Sequence, residues 1–276
     1  MMKTSNSTKD SRTKNRPEIR MWMQSIANPK ERQELLRNLE ISAEFEMRYR
    51  GLFTYYGKDL ITYKLQKPSD KNRNEFLRIL SKFMTDCLED NCPASWLQCQ
   101  PSFWEEFIFM FFPHSMKVTA EEKQVEAFLL QLKKFVRWLD KNKGTSWSPV
   151  VKDLIVAATP ELKDCEHLLN SLFLLDYPLL FHPDWDPEQD FERMNQEFAQ
   201  CADRSNSIFE VTSKIENTVV LTDIDTHCTY YVKGLPYQLI EPGIIMSGII
   251  GRKRDEFVWK WYQTDGIYPQ IGKNYM

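Results

Sequence analysis

At Ser205-Asn206-Ser207 the hydrophobic pattern of this 276-residue chain changes period. Upstream, apolar residues recur at helical spacing. Val125, Phe128, Leu129, Leu132, Phe135, Val136 and Leu139 form one such face, which predicts an amphipathic helix. Downstream the pattern alternates or turns β-branched, in "FEVTSKI" (209–215), "TVVLTDI" (218–224), "CTYYVK" (228–233), "IIMSGIIG" (244–251) and "FVWKWYQ" (257–263). The gaps between these five runs are too short for crossover helices, so antiparallel pairing is expected. Five short strands with Gly248 and Gly251 suit a small closed barrel of SH3-like or OB-like type. The expected fold class is α+β, an N-terminal multi-helix domain followed by a C-terminal small antiparallel five-stranded β-barrel. Residues 1–27 are expected to form a flexible basic tail, 28–204 the helical domain and 205–276 the barrel. Proteolysis near Ser205–Ser207 is expected to separate the last two.

Start signals divide the helical part. Asn28-Pro29 places a cap before a proline at the first helical position, and Ser148-Pro149 and Thr159-Pro160 repeat the device. Ser102 with Glu105, and Thr119 with Glu122, have the spacing of a capping box. The proline-rich "YPLLFHPDWDP" (177–187) connects to a last helix at roughly 187–203.

The net charge of −3 is unevenly spread: residues 1–27 carry six Lys/Arg and two acidic residues, while the rest is acidic. A large basic body for nucleic acid is therefore absent, and only the tail is basic. No apolar run reaches the roughly 18 residues of a membrane span, and the polar N-terminus lacks the apolar core of a secretory signal. Six cysteines without a dense framework suggest reduced thiols. A soluble cytoplasmic protein is expected, with no membrane partner and no cofactor.

"VVLTDIDTH" (219–227) has the order of the haloacid-dehalogenase motif, in which the first aspartate attacks phosphorus and the second handles the leaving-group proton. That chemistry needs a parallel strand in a doubly wound sheet, with further strands and helices supplying Ser/Thr, Lys and acidic groups. Only 49 residues follow His227, and they read as strands and turns. Asp223 to His227 are therefore expected to be a hairpin turn in which Asp and Thr satisfy local backbone groups. Asparagine at Asp223 or Asp225 is expected to change stability by less than about 1 kcal/mol, as at ordinary surface positions. Spacing of two would place Asp223, Asp225 and His227 on one strand face as weak metal candidates, but no further ligands are evident.

Other clusters carry less. His182, Asp184 and Asp186 lie in a proline-rich loop. Cys87, Cys92 and Cys99 lack the tight pairs of structural zinc. Cys165 and His167 on one helix cannot meet as a nucleophile and base. No G-x-S-x-G, phosphate loop or H-E-x-x-H is present.

Phe257, Trp259 and Trp261 would share one face of the last strand, either as barrel core or as a stacking platform. The mixed character of Val258, Lys260 and Tyr262 favours burial of the aromatic face. Arg252, Lys253 and Arg254 form a charged hairpin tip able to touch phosphate or an acidic partner. Candidate binding residues are thus Arg252, Lys253, Arg254, Trp259 and Trp261, and no catalytic residue is assigned. Met21-Trp22-Met23, after the basic tail, is a further docking candidate.

The pairing of "SFWEEFIFMFFP" and "FVRWLDKNKG" with "PGIIMSGII" resembles a loose group of uncharacterised bacterial proteins with a helical domain before a small SH3/OB-like barrel. The first part also resembles the helical arm-type domain of tyrosine recombinases. The Arg, His-x-x-Arg and Tyr set of those enzymes is not found downstream, so the resemblance implies no recombinase activity. The expected function is a non-enzymatic protein-interaction or scaffold module with a protein partner. The alternatives are a nucleic-acid-associated regulatory protein using tail and barrel, and a hydrolase with an unrecognised site.

Overall fold

The computed structural model describes residues 28–276 except Tyr55. The tail 1–27, with Met21-Trp22-Met23, lies outside the described residues. The chain divides into two compact units, Met1–Arg37 and Asn38–Met276. Asn28 caps α1 (Pro29–Ala43), its Oδ1 accepting from the Lys30 N–H at 3.0 Å.

The second unit is mixed α/β, with helices followed by a five-stranded sheet. After α2 (Gly51–Thr54) and α3 (Gly57–Leu65), α4 (Lys71–Lys82) starts where Asp70 Oδ1 accepts from the Arg73 N–H at 3.0 Å. It runs on into a π-helical segment, Phe83–Leu88. A second π segment, Phe107–Phe111, joins α5 (Pro101–Glu106) to α6 (Phe112–His114). Within 107–112 every residue but Met110 is buried. That is the pattern of a helix enclosed on all sides rather than one with a single apolar stripe. Phe83 stacks on Phe107 with ring centroids 5.1 Å apart, and Phe112 on Phe128 at 3.8 Å. The helical core is thus aromatic, and the two π segments meet inside it.

The long helices α7 (Gln124–Lys143) and α8 (Trp147–Asp176) form an antiparallel-type pair whose ends cap each other. Asp140 near the end of α7 accepts from the N–H groups of Trp147 (2.8 Å) and Ser148 (2.9 Å) and from the Thr145 hydroxyl (2.6 Å). Glu166 on α8 accepts from the N–H groups of Gln124 (2.7 Å) and Val125 (3.3 Å). The capping boxes expected at Ser102 and Thr119 do not form: neither α5 nor α7 has a side-chain cap from its preceding residue. Thr159-Pro160 starts no helix either, since Pro160 lies inside α8. Pro160 lacks the N–H that would donate to the Val156 carbonyl, and it is accommodated where Val156 is 68% exposed. No helix among the described residues is long and apolar enough to cross a membrane.

After α9 (Pro187–Ala199) come β1 (Asp203–Ile215), β2 (Thr218–Asp223), β3 (Thr229–Lys233), β4 (Ile245–Arg252) and β5 (Trp259–Tyr268). The sheet closes in the order β1-β2-β3-β5-β4. The pairing is not all antiparallel: β3 and β5 run parallel, through Val232–Trp259 and Lys233–Lys260. Short gaps require antiparallel pairing only of strands adjacent in sequence. β4 and β5 form a hairpin, and the strand closing against β3 is the second of that pair. Gly248 permits close approach on β4, since a Cβ there would lie 2.0 Å from the Gln263 carbonyl oxygen.

The change of period at residues 205–207 is not a gap in the packing. Ser205, Asn206 and Ser207 sit inside β1, opposite Ile250, Ile249 and Gly248. One apolar cluster unites Phe209, Leu221, Met246 and Trp261 of the sheet with Cys165, Leu168, Leu169 and Leu172 of α8. Tyr275 also donates to Glu105 at 2.7 Å, and the Tyr268 hydroxyl lies 3.2 Å from His114 Nδ1. Each α8 leucine withdrawn from that cluster would cost about 1.5–3 kcal/mol, together comparable with the whole net stability of a domain. The helices and sheet are therefore expected to unfold in one calorimetric transition. Two resolved transitions, or a stable fragment beginning near Asp203, would contradict the shared core.

Candidate functional site

The aspartate turn is closed on itself. Asp223 ends β2, and its Oδ1 accepts from the N–H groups of Asp225 (2.9 Å) and Thr226 (2.8 Å). The His227 N–H donates to the Asp223 carbonyl at 3.0 Å, with His227 at φ 59°. Asp225 and His227 lie beyond the strand, so the period-two face expected for the three residues does not exist. Among the described residues no group of three or more His, Cys, Asp or Glu is placed to hold a metal. Burial alone would raise the Asp223 carboxyl, but hydrogen bonds from Thr226, Ser207 and Asp225 outweigh it and hold the group below the usual range. One expectation needs correction: Asp223 is 2% exposed, so only Asp225 is an ordinary surface position. The signal available in sequence was Asp-x-Asp-Thr itself, which has the spacing of an Asx turn.

The cysteines are free thiols. Burial pushes the Cys87 and Cys92 thiols up to about 11 and Cys99 up to about 12, away from thiolate reactivity. Cys165 is buried in the cluster between α8 and the sheet, with its thiol pushed up by burial.

The structure separates the residues expected to share the last aromatic face. Trp261 is 6% exposed; its Nε1 donates to Thr264 Oγ1 at 2.8 Å, and its ring meets Phe209 edge-on at 6.0 Å. Trp259, the first residue of β5, is half-buried. Phe257 precedes the strand in the 253–258 bend and is 91% exposed. The opposite face departs from expectation too. Tyr262 is buried, its ring 5.5 Å from Phe198 of α9, while Lys260 pairs with Glu197 at 2.7 Å. Helix α9 thus covers the side of β5 that period alone assigned to water.

Where β4 ends and β5 begins, four side chains gather. Tyr230 of β3 meets Trp259 edge-on with centroids 4.9 Å apart, and the Arg252 guanidinium lies 5.3 Å from the Trp259 ring centre. Arg252 also binds Asp203 Oδ2 through Nε (3.1 Å) and Nη2 (2.5 Å). Its charge is therefore engaged within the fold. Lys253 and Arg254 are exposed but are followed at once by Asp255 and Glu256, so the tip offers little net positive charge. Phe257 lies two residues before Trp259 in the chain. Of the candidate binding residues, the structure brings Arg252 and Trp259 together, leaves Lys253 and Arg254 in solvent, and removes Trp261 to the core. Tyr230 was missed because its place beside Trp259 depends on the parallel β3–β5 seam, and the exposure of Phe257 because β5 begins only at Trp259. No family model, no curated protein and no solved structure matches this chain.

Proposed function

We propose that this protein is a non-enzymatic protein-interaction module that binds its partner through the tip of the sheet, with Phe257 as the anchor. Phe257 supports the reading: a phenylalanine 91% exposed costs nothing to cover and gains about 1.5–3 kcal/mol when a partner buries it. Tyr, Trp and Arg are the residue types that dominate binding energy, and Tyr230, Trp259 and Arg252 stand beside it already packed. They would lose little side-chain entropy on association. In this reading the strand order and parallel β3–β5 pairing make an OB-type barrel.

Peptides selected by display on the full chain provide the test. Binders are expected to lose tenfold or more in affinity on Phe257→Ala, roughly a hot-spot loss, in a protein with an unchanged circular dichroism spectrum. Binders indifferent to both Phe257→Ala and Trp259→Ala would sink the proposal. A second reading, nucleic-acid association, draws on exposed Lys253 and Arg254 and on the use of this loop by OB-type barrels for oligonucleotides. It would be favoured by single-strand binding that falls steeply with salt and is lost in Lys253→Glu/Arg254→Glu.

A further inference from the structure

The end of α8 and the loop after it leave apolar surface uncovered. Leu175, Leu179 and Phe181 are 56%, 53% and 45% exposed, and Phe191 on α9 is 52% exposed. Leu179 adjoins the groove residues Leu180 and Phe181 in the chain, and Phe191 is linked to the end of α8 through Tyr177. The Tyr177 ring lies 6.0 Å from Phe173 and 5.7 Å from Phe191. Phe173, Leu180 and Phe181 line a groove of about 380 Å³ that reaches Met116 and Val118. Helix α9 buries none of its residues. A small ligand filling the groove would leave Leu179 and Phe191 in water, so an elongated apolar partner is needed to cover the row.

Charge states which partner. Residues 28–175 contain 21 basic and 21 acidic residues, whereas Asp176 to Ala199 contain seven carboxylates and one arginine, Arg193. Some are committed: Asp186 caps α9, Asp190 pairs with Arg193, and Glu197 pairs with Lys260. Glu188 and Glu192 are exposed without a salt bridge among the described residues, and Asp184 has His182 beside it at 3.5 Å. Glu188 lies three residues before Phe191, on the same face of α9. An anionic bilayer or a nucleic acid would be repelled here, and a second copy would bring like charges together.

We infer that this face docks a basic amphipathic helix of a partner protein. Its apolar stripe covers Leu179 and Phe191 and sends an anchor into the groove beside Phe181, while its Lys and Arg flank the stripe opposite Asp184, Glu188 and Glu192. This is helix-in-groove recognition with charge selecting the partner. The surface shares no residue with the sheet tip, so it stands or falls independently.

The full chain is titrated with a dye-labelled synthetic peptide bearing Leu and Trp on one helical face and Lys on the other. Two controls accompany it: a scrambled sequence of the same composition and a Lys→Glu version. The amphipathic basic peptide should bind about tenfold tighter than the scrambled one, and the acidic one should not bind. Phe181→Ser, Leu179→Ser and Glu188→Lys/Glu192→Lys should each weaken it by about tenfold, a hot-spot-sized effect. Phe257→Ala should leave it unchanged. Equal binding of the scrambled peptide, no saturable binding, or indifference to Phe181→Ser and Leu179→Ser in natively folded protein would overturn the inference. A concentration-dependent dimer abolished by those variants would overturn it in favour of a second copy.

Discussion

Trp261→Ala is expected to cost about 3–5 kcal/mol, the range for removing a large aromatic from a packed core, whereas Phe257→Ala should stay within about 0.5 kcal/mol of the parent, as at an exposed position. Trp261 is 6% exposed and belongs to the cluster that the sheet shares with α8. Its removal opens a void against Phe209 and leaves Thr264 Oγ1, on a residue itself 6% exposed, without the Nε1 donor. Urea unfolding should show a lower midpoint with an unchanged slope for Trp261→Ala, meaning lost stability without a change in compactness. Because α8 supplies part of that core, helical and sheet signals should be lost together. Trp259→Ala should fall between the two, since the ring is half-buried and flanked by Tyr230 and Arg252. A cost for Trp261→Ala below about 1 kcal/mol would mean that the ring is not in the core.

These aromatics show what was legible before the structure. Alternation at 257–263 reveals a strand, but not where it begins. β5 starts at Trp259, so Phe257 falls in the preceding bend, where period two has no meaning. The helical and sheet regions were readable because periodicity is local. The parallel β3–β5 seam and the plug of α8 leucines were not, because both join residues distant in sequence. The same limit applies at helix ends. Asn28 and the Asp-x-Asp-Thr turn were readable because donor and acceptor lie within three residues of each other. Thr119 and Glu122 have capping-box spacing, yet the Thr119 N–H donates to Asn170 Oδ1 at 3.0 Å and Glu122 lies 2.9 Å from His167. Tertiary partners on α8 displaced the local device. For the binding surfaces, residue type at the tip was readable, but exposure and pairing decided which residues remain available.

Glu166→Ala is expected to destabilise the protein by about 2–4 kcal/mol, because two backbone N–H groups at the start of α7 lose their acceptor and a buried unsatisfied donor costs about 1–3 kcal/mol. Glu166 is 3% exposed, and Lys123, the residue preceding α7, provides no side-chain cap in its place. The positive end of the α7 dipole adds to the attraction for the carboxylate. Even so, burial, reinforced by Glu122 and Glu126, outweighs the two N–H groups and raises the Glu166 pKa above the ordinary glutamate value. The folded state then binds its proton more tightly than the unfolded chain does, so this group favours folding most in acid. Its contribution declines as pH rises from the unfolded pKa through the raised folded one. Asp140, at the other end of the helix pair, has the opposite sign. Burial acts to raise it, but hydrogen bonds from Ser148, Thr145 and Trp147 prevail and its pKa is lowered, so its stabilisation is present at neutral pH and lost as pH falls through the folded value. Denaturation of Glu166→Gln and Asp140→Asn between roughly pH 3 and pH 8, a range spanning ordinary carboxylate pKa values, should therefore alter the acid limb in opposite directions. Glutamine replaces one of the two accepting oxygens of Glu166 with an NH2 donor, so its cost should lie below that of alanine but not vanish. If Glu166→Ala is neutral while Asp140→Ala is costly, the α7 end is satisfied by water and the reciprocal capping of the pair is not what holds it.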